Sequence, residues 1–243
     1  MYDIHCHILY GVDDGADSVR ESVRMAELAF EEGTNGIVVT PHCNIPESYE
    51  NYWDIPLRER IRSFKSALKE NDIPIEVYTG QEIFCTGRAL SLLKEGKLVT
   101  LNDSRYPLLE FDFYEFSTSV YRKLQQFLAE GFVPVVAHPE RYAFVNEDDS
   151  AAMRLKEMGC LLQVNKGSLN GRFGEDAMNS VHNMLDHRLA DFVASDAHSP
   201  YMRTPAMSET HEMISELYSA DYADFLLEDN PSLVINNKDV MTY

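Results

Sequence analysis

Short apolar runs alternate with amphipathic stretches along nearly the whole chain. Each run is followed by a segment that can form a helix. Runs that are apolar at consecutive positions are typical of parallel strands covered on both faces. The pattern therefore predicts an α/β fold built from seven strand–helix units. The predicted strands are residues 2–7, 36–40, 75–79, 107–111, 133–137, 161–165 and 191–195.

The first helix has the clearest local signals. Ser18 and Glu21 have the spacing of a capping box, which satisfies free N–H groups at the start of a helix. Gly33 is the expected end of this helix. The predicted apolar stripe consists of Val19, Val23, Ala26 and Phe30.

Side chains that bind metals follow or end six of the seven predicted strands. In a β/α barrel the carboxyl ends of all strands meet at one mouth. In an open sheet, only the strands beside a switch point share a site. We therefore expect a barrel, formed as a single domain over residues 1–243. The side chains are His5, His7, His42, Glu82, Glu110, His138, Asp196 and His198.

The spacing of these donors indicates a site for more than one metal ion. His5 and His7 share a face because residues two apart in a strand project the same way, and Asp196 and His198 repeat this spacing. Imidazoles and carboxylates without thiolates suit manganese, iron or zinc. Asp14 brings the donors to nine, enough for two or three ions that share carboxylates.

Each of these residues taken alone also has an ordinary structural interpretation. A lone histidine at a strand end most often makes a hydrogen bond, and Glu82 or Glu110 alone would suit a helix cap or the surface. Five of the eight histidines lie at predicted strand ends, however, which coincidence explains poorly. Asp13 is an alternative to Asp14, because both lie in the same predicted turn.

The composition of the chain argues against several classes of function. The 40 acidic and 21 basic side chains give a net charge of −19, which disfavours a nucleic-acid partner. No apolar stretch approaches the roughly 20 residues that cross a bilayer, and no secretion signal is recognisable, so we expect a cytoplasmic protein without membrane insertion. The four cysteines form no CxxC pair and no C-x5-R motif, which excludes a cysteine-dependent phosphatase. We expect Cys6 and Cys43 to be packing residues.

Two arginines favour phosphoesters as the substrate. Arg141 and Arg203 lie near predicted ligands, and the planar guanidinium group matches the geometry of phosphate. A surface ion pair is the alternative for either one. Residues 44–56 are predicted to form a long loop over the site. Five aromatic residues could stack on a phosphotyrosine ring, although burial in the core is the expected fate of any one of them. They are Tyr106, Tyr142 and the loop residues Tyr49, Tyr52 and Trp53.

Seven segments together resemble the polymerase-and-histidinol-phosphatase (PHP) superfamily, and within it the bacterial protein-tyrosine phosphatases of capsule and exopolysaccharide synthesis. They are DIHCHILYGVDDGA, TPHCN, GQEIF, LNDSRYPLLEF, VVAHPERY, MGCLLQVN and ASDAHS. The resemblance implies a distorted (β/α)7 TIM-like barrel that binds three metal ions, usually Mn²⁺. It also implies hydrolysis of phosphotyrosine on the tail of a cognate bacterial tyrosine kinase.

The resemblance further implies a role for each candidate residue. Arg141 and Arg203 correspond to arginines that bind the phosphate, and Glu82 bridges two of the ions. The first ion is bound by His5, His7, Glu82 and Asp196, the second by Glu82, Glu110 and His138, and the third by Asp14, His42 and His198.

Three other functions remain open on the sequence. A small-molecule phosphatase of the histidinol-phosphatase type would use the same barrel. A non-catalytic binding module would use the metals only to brace the fold. An amidohydrolase is less favoured, because the strand at residues 161–165 offers no histidine, although Lys166 lies near its end.

Overall fold

Strands and helices alternate along residues 1–148 and 150–243, which the computed structural model describes. The strands are β1 (Tyr2–Cys6), β2 (Gly36–Val39), β3 (His42–Cys43), β4 (Glu76–Thr79), β5 (Glu82–Phe84), β6 (Leu108–Glu110), β7 (Val135–Ala137), β8 (Leu161–Asn165) and β9 (Phe192–Ala194).

Helices follow the strands as predicted. They are α1 (Val19–Glu31), α2 (Ile55–Glu70), α3 (Ala89–Lys94), α4 (Ser117–Ala129), α5 (Ala143–Glu147), α6 (Ala151–Glu157), α7 (Lys166–Leu169), α8 (Glu175–Asp186), α9 (Ser208–Leu217), α10 (Ala220–Asp224) and α11 (Asn230–Ile235). Short 3-10 turns cover Leu101–Asp103 and Pro139–Arg141, and a π-helical stretch covers Phe225–Asp229. Within the described ranges, no helix has both the length and the apolar composition needed to span a bilayer.

The strands form two parallel sheets, with the orders β1-β2-β4 and β3-β5-β6-β7-β8-β9. The described residues contain nine strands where seven were predicted, because the chain continues past β2 and β4 into two short strands. Pro41, which has no N–H to donate, separates β2 from β3. His42 and Glu82 were expected to follow their strands. They lie instead within β3 and β5, and they face each other in the register of that pair.

Backbone hydrogen bonds connect the two sheets at the carboxyl end of β1. The amide of Asp196 donates to the carbonyl of His5, and the amide of His7 donates to the carbonyl of Ala197, both at 2.9 Å. Cys6 and Ala197 form an isolated parallel bridge. The chain after β9 therefore runs beside the end of β1.

Apolar side chains pack on both faces of the sheets. Successive residues of a strand point to opposite faces, so Val135 and Val136 belong to different apolar clusters. The cluster of Val136 includes residues of α4 and α8, whereas the cluster of Val135 joins Ile4, Val38 and Phe192 from other strands. Packing on both faces fixes the strands and leaves their carboxyl ends for polar side chains.

Helix α1 confirms the predicted cap and corrects the predicted apolar face. The side chain of Ser18 accepts a hydrogen bond from the amide of Glu21, and the helix ends at Glu31, two residues before Gly33. Val19 and Phe30 are 39% and 41% exposed, so the two ends of the predicted stripe were wrong, whereas Ala26 is buried and Val23 packs against an apolar cluster. Small side chains dominate the buried face, which lets the helix pack closely against its neighbours. The buried residues are Ser22, Met25, Ala26 and Ala29.

Candidate metal centre

The nine predicted donors lie together at the carboxyl ends of the strands. Most of these donors fall into three overlapping groups. Within each group, the donor atoms all lie within 4.8 Å of one another. His138, which belongs to none of these groups, has its Nε2 atom 2.9 Å from Oε1 of Glu82. The groups are His7, Asp14, His42 and His198; His5, His7 and Asp196; and His42, Glu82 and Glu110.

His5 and His7 direct nitrogen lone pairs at the same point. Nδ1 of His5 lies 2.7 Å from Oε1 of Gln163, and Nδ1 of His7 lies 2.8 Å from Oδ2 of Asp13. Because both partners are acceptors, hydrogen bonding assigns the proton of each neutral ring to Nδ1. The two Nε2 atoms then face each other at 3.2 Å. Such an arrangement needs a cation or an added proton between the rings.

Glu82 lies at the centre of the cluster and is fully buried. Its Oε1 atom is 2.9 Å from Nε2 of His138 and 3.3 Å from Nε2 of His5. Its Oε2 atom is 2.8 Å from Nδ1 of His42 and 3.2 Å from Nε2 of His7. Burial raises the pKa of Glu82, but the imidazoles of His5 and His42 outweigh it and hold that pKa well below its usual range. Glu82 therefore stays ionised and can bridge two cations.

The surroundings of His42 fit a divalent cation. Nδ1 of His42 and Oε2 of Glu82 are close but not aligned for a hydrogen bond, so both buried atoms lack a hydrogen-bond partner among the described residues. Burial lowers the pKa of His42, but the Glu82 carboxylate outweighs it and the pKa rises to about 10. The cluster thus needs positive charge, which either protons or a metal ion provide. Imidazole and carboxylate donors suit a borderline divalent metal.

The two adjacent aspartates have different partners. Asp13 is bonded through Oδ2 to the ring of His7 and to the backbone amide of His42, so it orients donors. Asp14 is half-exposed, and its Oδ1 atom lies 3.4 Å from Nε2 of His198 and 3.6 Å from Nε2 of His42. A hydrogen bond with His198 holds the pKa of Asp14 below its usual range. This geometry favours Asp14 over Asp13 as the ligand.

Two residues of β8 that sequence reasoning missed support the cluster. Besides contacting His5, Gln163 donates a hydrogen bond of 2.9 Å to Oδ1 of Asn165. Asn165 donates in turn to Oδ2 of Asp196 at 2.6 Å. Polar side chains at alternate positions of a fully buried strand were the signal available in the sequence. Lys166, directly after β8, donates to a backbone carbonyl and belongs to none of the three groups.

Arg141 and Arg203 approach the cluster from one side. Their guanidinium nitrogens lie 3.7 Å and 2.5 Å, respectively, from Oδ2 of Asp196. Phe113 and Phe173, which sequence reasoning also missed, lie against these arginines. Both arginines are partly exposed, so their guanidinium N–H groups, apart from the buried Nε–H of Arg203, are available to an anion beside the cluster.

Comparison with known proteins identifies the family. Residues 1–236 match the family model described as capsular polysaccharide synthesis, CpsB/CapC. The chain belongs to the CpsB/CapC family. The tyrosine-protein phosphatase YwqE of Bacillus subtilis is 33% identical over 240 residues, which cover 99% of this chain and 93% of that protein. The tyrosine-protein phosphatase CpsB of Streptococcus pneumoniae is 32% identical over 243 residues, covering 97% of this chain and 98% of that protein.

A solved structure supports the same family assignment. It comes from work on YwqE from Bacillus subtilis and CpsB from Streptococcus pneumoniae, described there as unique metal-dependent tyrosine phosphatases. The two structures share 33% sequence identity and a TM-score of 0.93, over 100% of this chain and 97% of that one.

In this member of the CpsB/CapC family, the loop after β3 lies against the donor cluster. The loop ends at Asp54, the residue that caps α2, rather than at residue 56 as predicted. The ring of Tyr49 is stacked on His42, with centroids 5.9 Å apart and an angle of 9° between the planes. Tyr52 and Trp53 pack against apolar clusters instead. Of the three aromatic candidates in the loop, Tyr49 is therefore the one placed beside a predicted ligand. The other two candidates, Tyr106 and Tyr142, are buried in the core.

Proposed function

We propose that this chain is a metal-dependent tyrosine-protein phosphatase that acts in capsular polysaccharide or exopolysaccharide synthesis. The observation that carries the proposal is the convergence of nine imidazole and carboxylate donors beside two arginines. The names of the relatives YwqE and CpsB support phosphotyrosine as the substrate. We further propose that the metal is Mn²⁺ and that the cluster binds three ions.

The ligand sets we propose follow the overlapping groups of donors. Glu82 is a suitable bridge because each of its oxygens contacts two imidazoles. One ion would be held by His5, His7, Glu82 and Asp196, a second by Glu82, Glu110 and His138, and a third by Asp14, His42 and His198.

The residues of this chain would bind and orient the phosphoryl group. Bound divalent metals lower the pKa of water toward neutrality and offset negative charge on phosphate. Arg141 and Arg203 donate N–H groups to the phosphate oxygens, where charge builds up during transfer. Because tyrosine has a pKa of about 10, its oxygen leaves more readily than an alkoxide and needs little help from a general acid. Glu82 and Asp196 remain ionised, since neighbouring cationic groups hold their pKa values down.

We also infer that the two sheets together form a distorted (β/α)7 barrel in one domain spanning residues 1–243. The hydrogen bonds between the end of β1 and the chain after β9 support this arrangement. Short strands β3 and β5, which continue β2 and β4 beyond a break, account for the distortion. A barrel mouth would also explain why donors from six strands share one site.

The substrate we propose is a phosphotyrosine on a cytoplasmic protein, the tail of a cognate bacterial tyrosine kinase. The relatives' link to capsule synthesis supports a substrate in the same process. The net charge of −19 argues against nucleic acid as the partner.

The test compares three substrates with the Mn²⁺-loaded chain: a phosphotyrosine peptide, p-nitrophenyl phosphate and histidinol phosphate. We expect hydrolysis of the phosphotyrosine peptide that a chelator abolishes. His198→Gln removes a proposed ligand and should lose activity, whereas His211→Gln, on α9 and paired with Asp224 outside the cluster, should retain it.

Two outcomes would contradict the proposal. A strong preference for histidinol phosphate would favour a small-molecule phosphatase on the same scaffold. Binding of metal that raises the melting temperature without any hydrolysis would favour a metal-braced binding module.

A further inference from the structure

The ring of Phe173 contacts both arginines that we propose to bind the phosphate. Cζ of Arg141 lies over the ring at 4.4 Å from its centre, and Cζ of Arg203 lies over it at 5.5 Å. A second ring, that of Phe113, lies 4.4 Å from Cζ of Arg141. The ring of Phe173 therefore contacts two cationic groups at once.

The guanidinium groups of Arg141 and Arg203 need an interaction partner in addition to the carboxylate of Asp196. Both approach the same oxygen of Asp196, and no other carboxylate of the described residues lies within 4 Å of either one. Two like charges near a single counter-charge repel each other. The negative face of an aromatic ring attracts a cation without occupying its N–H groups. Phe173 can thus hold both arginines and still leave their N–H edges free for an anion.

The backbone around Phe173 fixes the position of the ring. Gly171 and Gly174 have φ angles of +70° and +100°, which residues with a side chain rarely adopt. On the other side, a Cβ atom added at Gly167 would come within 3.0 Å of Cε2 of Phe173. The ring is therefore packed directly against the backbone of α7.

Phe173 also lines two cavities. A cavity of about 730 Å³ is lined by Phe173 and Arg203, and one of about 510 Å³ is lined by Phe173 and Arg141. Each arginine thus lines one of the two cavities, and Phe173 lines both.

We infer that Phe173 is a positioning residue for phosphate binding, whose ring holds Arg141 and Arg203 with their N–H edges directed at the phosphoryl group. The inference rests on the proposed phosphatase function and adds to it an aromatic residue that touches no reacting atom. An aliphatic side chain of similar size would fill the space but would lack the negative face that attracts the two cations.

The test is the kinetics of Phe173→Leu and Phe173→Tyr in the Mn²⁺-loaded chain. Phe30→Leu, an exposed phenylalanine on α1, is the matched control. For Phe173→Leu we expect KM for p-nitrophenyl phosphate and the inhibition constant of inorganic phosphate each to rise about fivefold, as loss of a cation–π contact implies. The value of kcat should change less than KM, and the metal content should stay the same. Phe173→Tyr, which keeps the aromatic face, should leave both constants near their wild-type values.

The wild-type chain separates this inference from the proposed function. If it hydrolyses no phosphate ester, the proposed function fails. If it is active and Phe173→Leu binds phosphate as tightly as wild type, the role of Phe173 is wrong. It is also wrong if Phe173→Tyr is as impaired as Phe173→Leu at an unchanged melting temperature.

If Phe173→Leu does not fold, a second variant, Gly167→Ala, tests the same inference. Gly167→Ala keeps the ring but displaces it, so it should weaken inhibition by phosphate as well. An unchanged inhibition constant in folded Gly167→Ala would overturn the inference.

Discussion

Asn165 donates a hydrogen bond of 2.6 Å from its side-chain amide to Oδ2 of Asp196. It lies on β8, a strand that carries none of the nine donors. Through Gln163, the same strand also reaches Nδ1 of His5. A strand that carries none of the donors therefore orients two proposed ligands, His5 and Asp196.

Removal of this amide should weaken metal binding. We expect Asn165→Ala to lower the affinity for Mn²⁺ by about 10- to 100-fold, the usual effect of losing a residue that orients a ligand. Calorimetric titration of the metal-free chain measures this directly. Asn179→Ala, an exposed asparagine on α8, is the control. Equal affinities of Asn165→Ala and the wild type for Mn²⁺ would show that Asp196 does not need the hydrogen bond from Asn165.

Arg203 should not be replaceable by lysine. We expect Arg203→Lys to lower kcat for a phosphotyrosine peptide by about 10²-fold or more, because a point charge does not reproduce the paired N–H donors of a guanidinium. Arg141→Gln should raise KM and lower kcat as well. Steady-state kinetics at fixed Mn²⁺ concentration check both, with Arg20→Gln as an exposed control. Unchanged kinetics in either variant would remove that arginine from the mechanism.

The metal-free protein should lose stability at alkaline pH. In it the pKa of His42 is about 10, above the value of about 6.5 for an unfolded histidine. A histidine with a raised pKa stabilises the fold fully below its unfolded pKa, and this contribution is lost as the pH rises through the folded value. We therefore expect the melting temperature of the chelated chain to fall between about pH 7 and pH 10.

His42→Gln is the control for this pH effect, since it should show a smaller fall over the same range. The Mn²⁺-loaded protein should not show the fall, because a metal-bound imidazole carries no titrating proton. Parallel pH profiles for chelated wild type and chelated His42→Gln would contradict the role assigned to His42.

Gly15 leaves no room for a side chain. A Cβ atom there would lie 2.1 Å from the carbonyl oxygen of His7 and 2.9 Å from Oδ1 of Asp13. We expect Gly15→Ala to lower the free energy of unfolding by about 1–3 kcal/mol, or about 2–4 °C in melting temperature for each kcal/mol. Gly87→Ala, where a Cβ meets nothing within 4 Å, should change little. Thermal melts that do not distinguish the two variants would contradict this.

The sequence predicted the strands and the convergence of donors well, for a physical reason. Parallel strands that follow one another in an α/β fold have their carboxyl ends on the same side, so residues at those ends become neighbours wherever they lie in the chain. His5 and His198 meet in one cluster in this way. The family resemblance stated from the motifs was confirmed by the match to CpsB/CapC.

Other features depend on packing that the sequence pattern does not specify. The buried face of α1 differs from the predicted stripe, because small residues such as Ala29 pack closely while Phe30 stays partly exposed. The short strands β3 and β5 form because the chain breaks after β2 and β4 and then continues into a second strand. Phe173 was missed because the role we infer for it depends on Arg141 and Arg203, which come from two other segments of the chain.

The most direct test of the central claim is metal analysis of the purified chain combined with turnover of p-nitrophenyl phosphate before and after chelation. We expect about three divalent ions per chain, as nine donors with shared carboxylates allow. Chelation should remove the metal and the turnover together, and added Mn²⁺ should restore both. Undiminished turnover by a chain stripped of metal would contradict the claim that these donors form a catalytic metal centre.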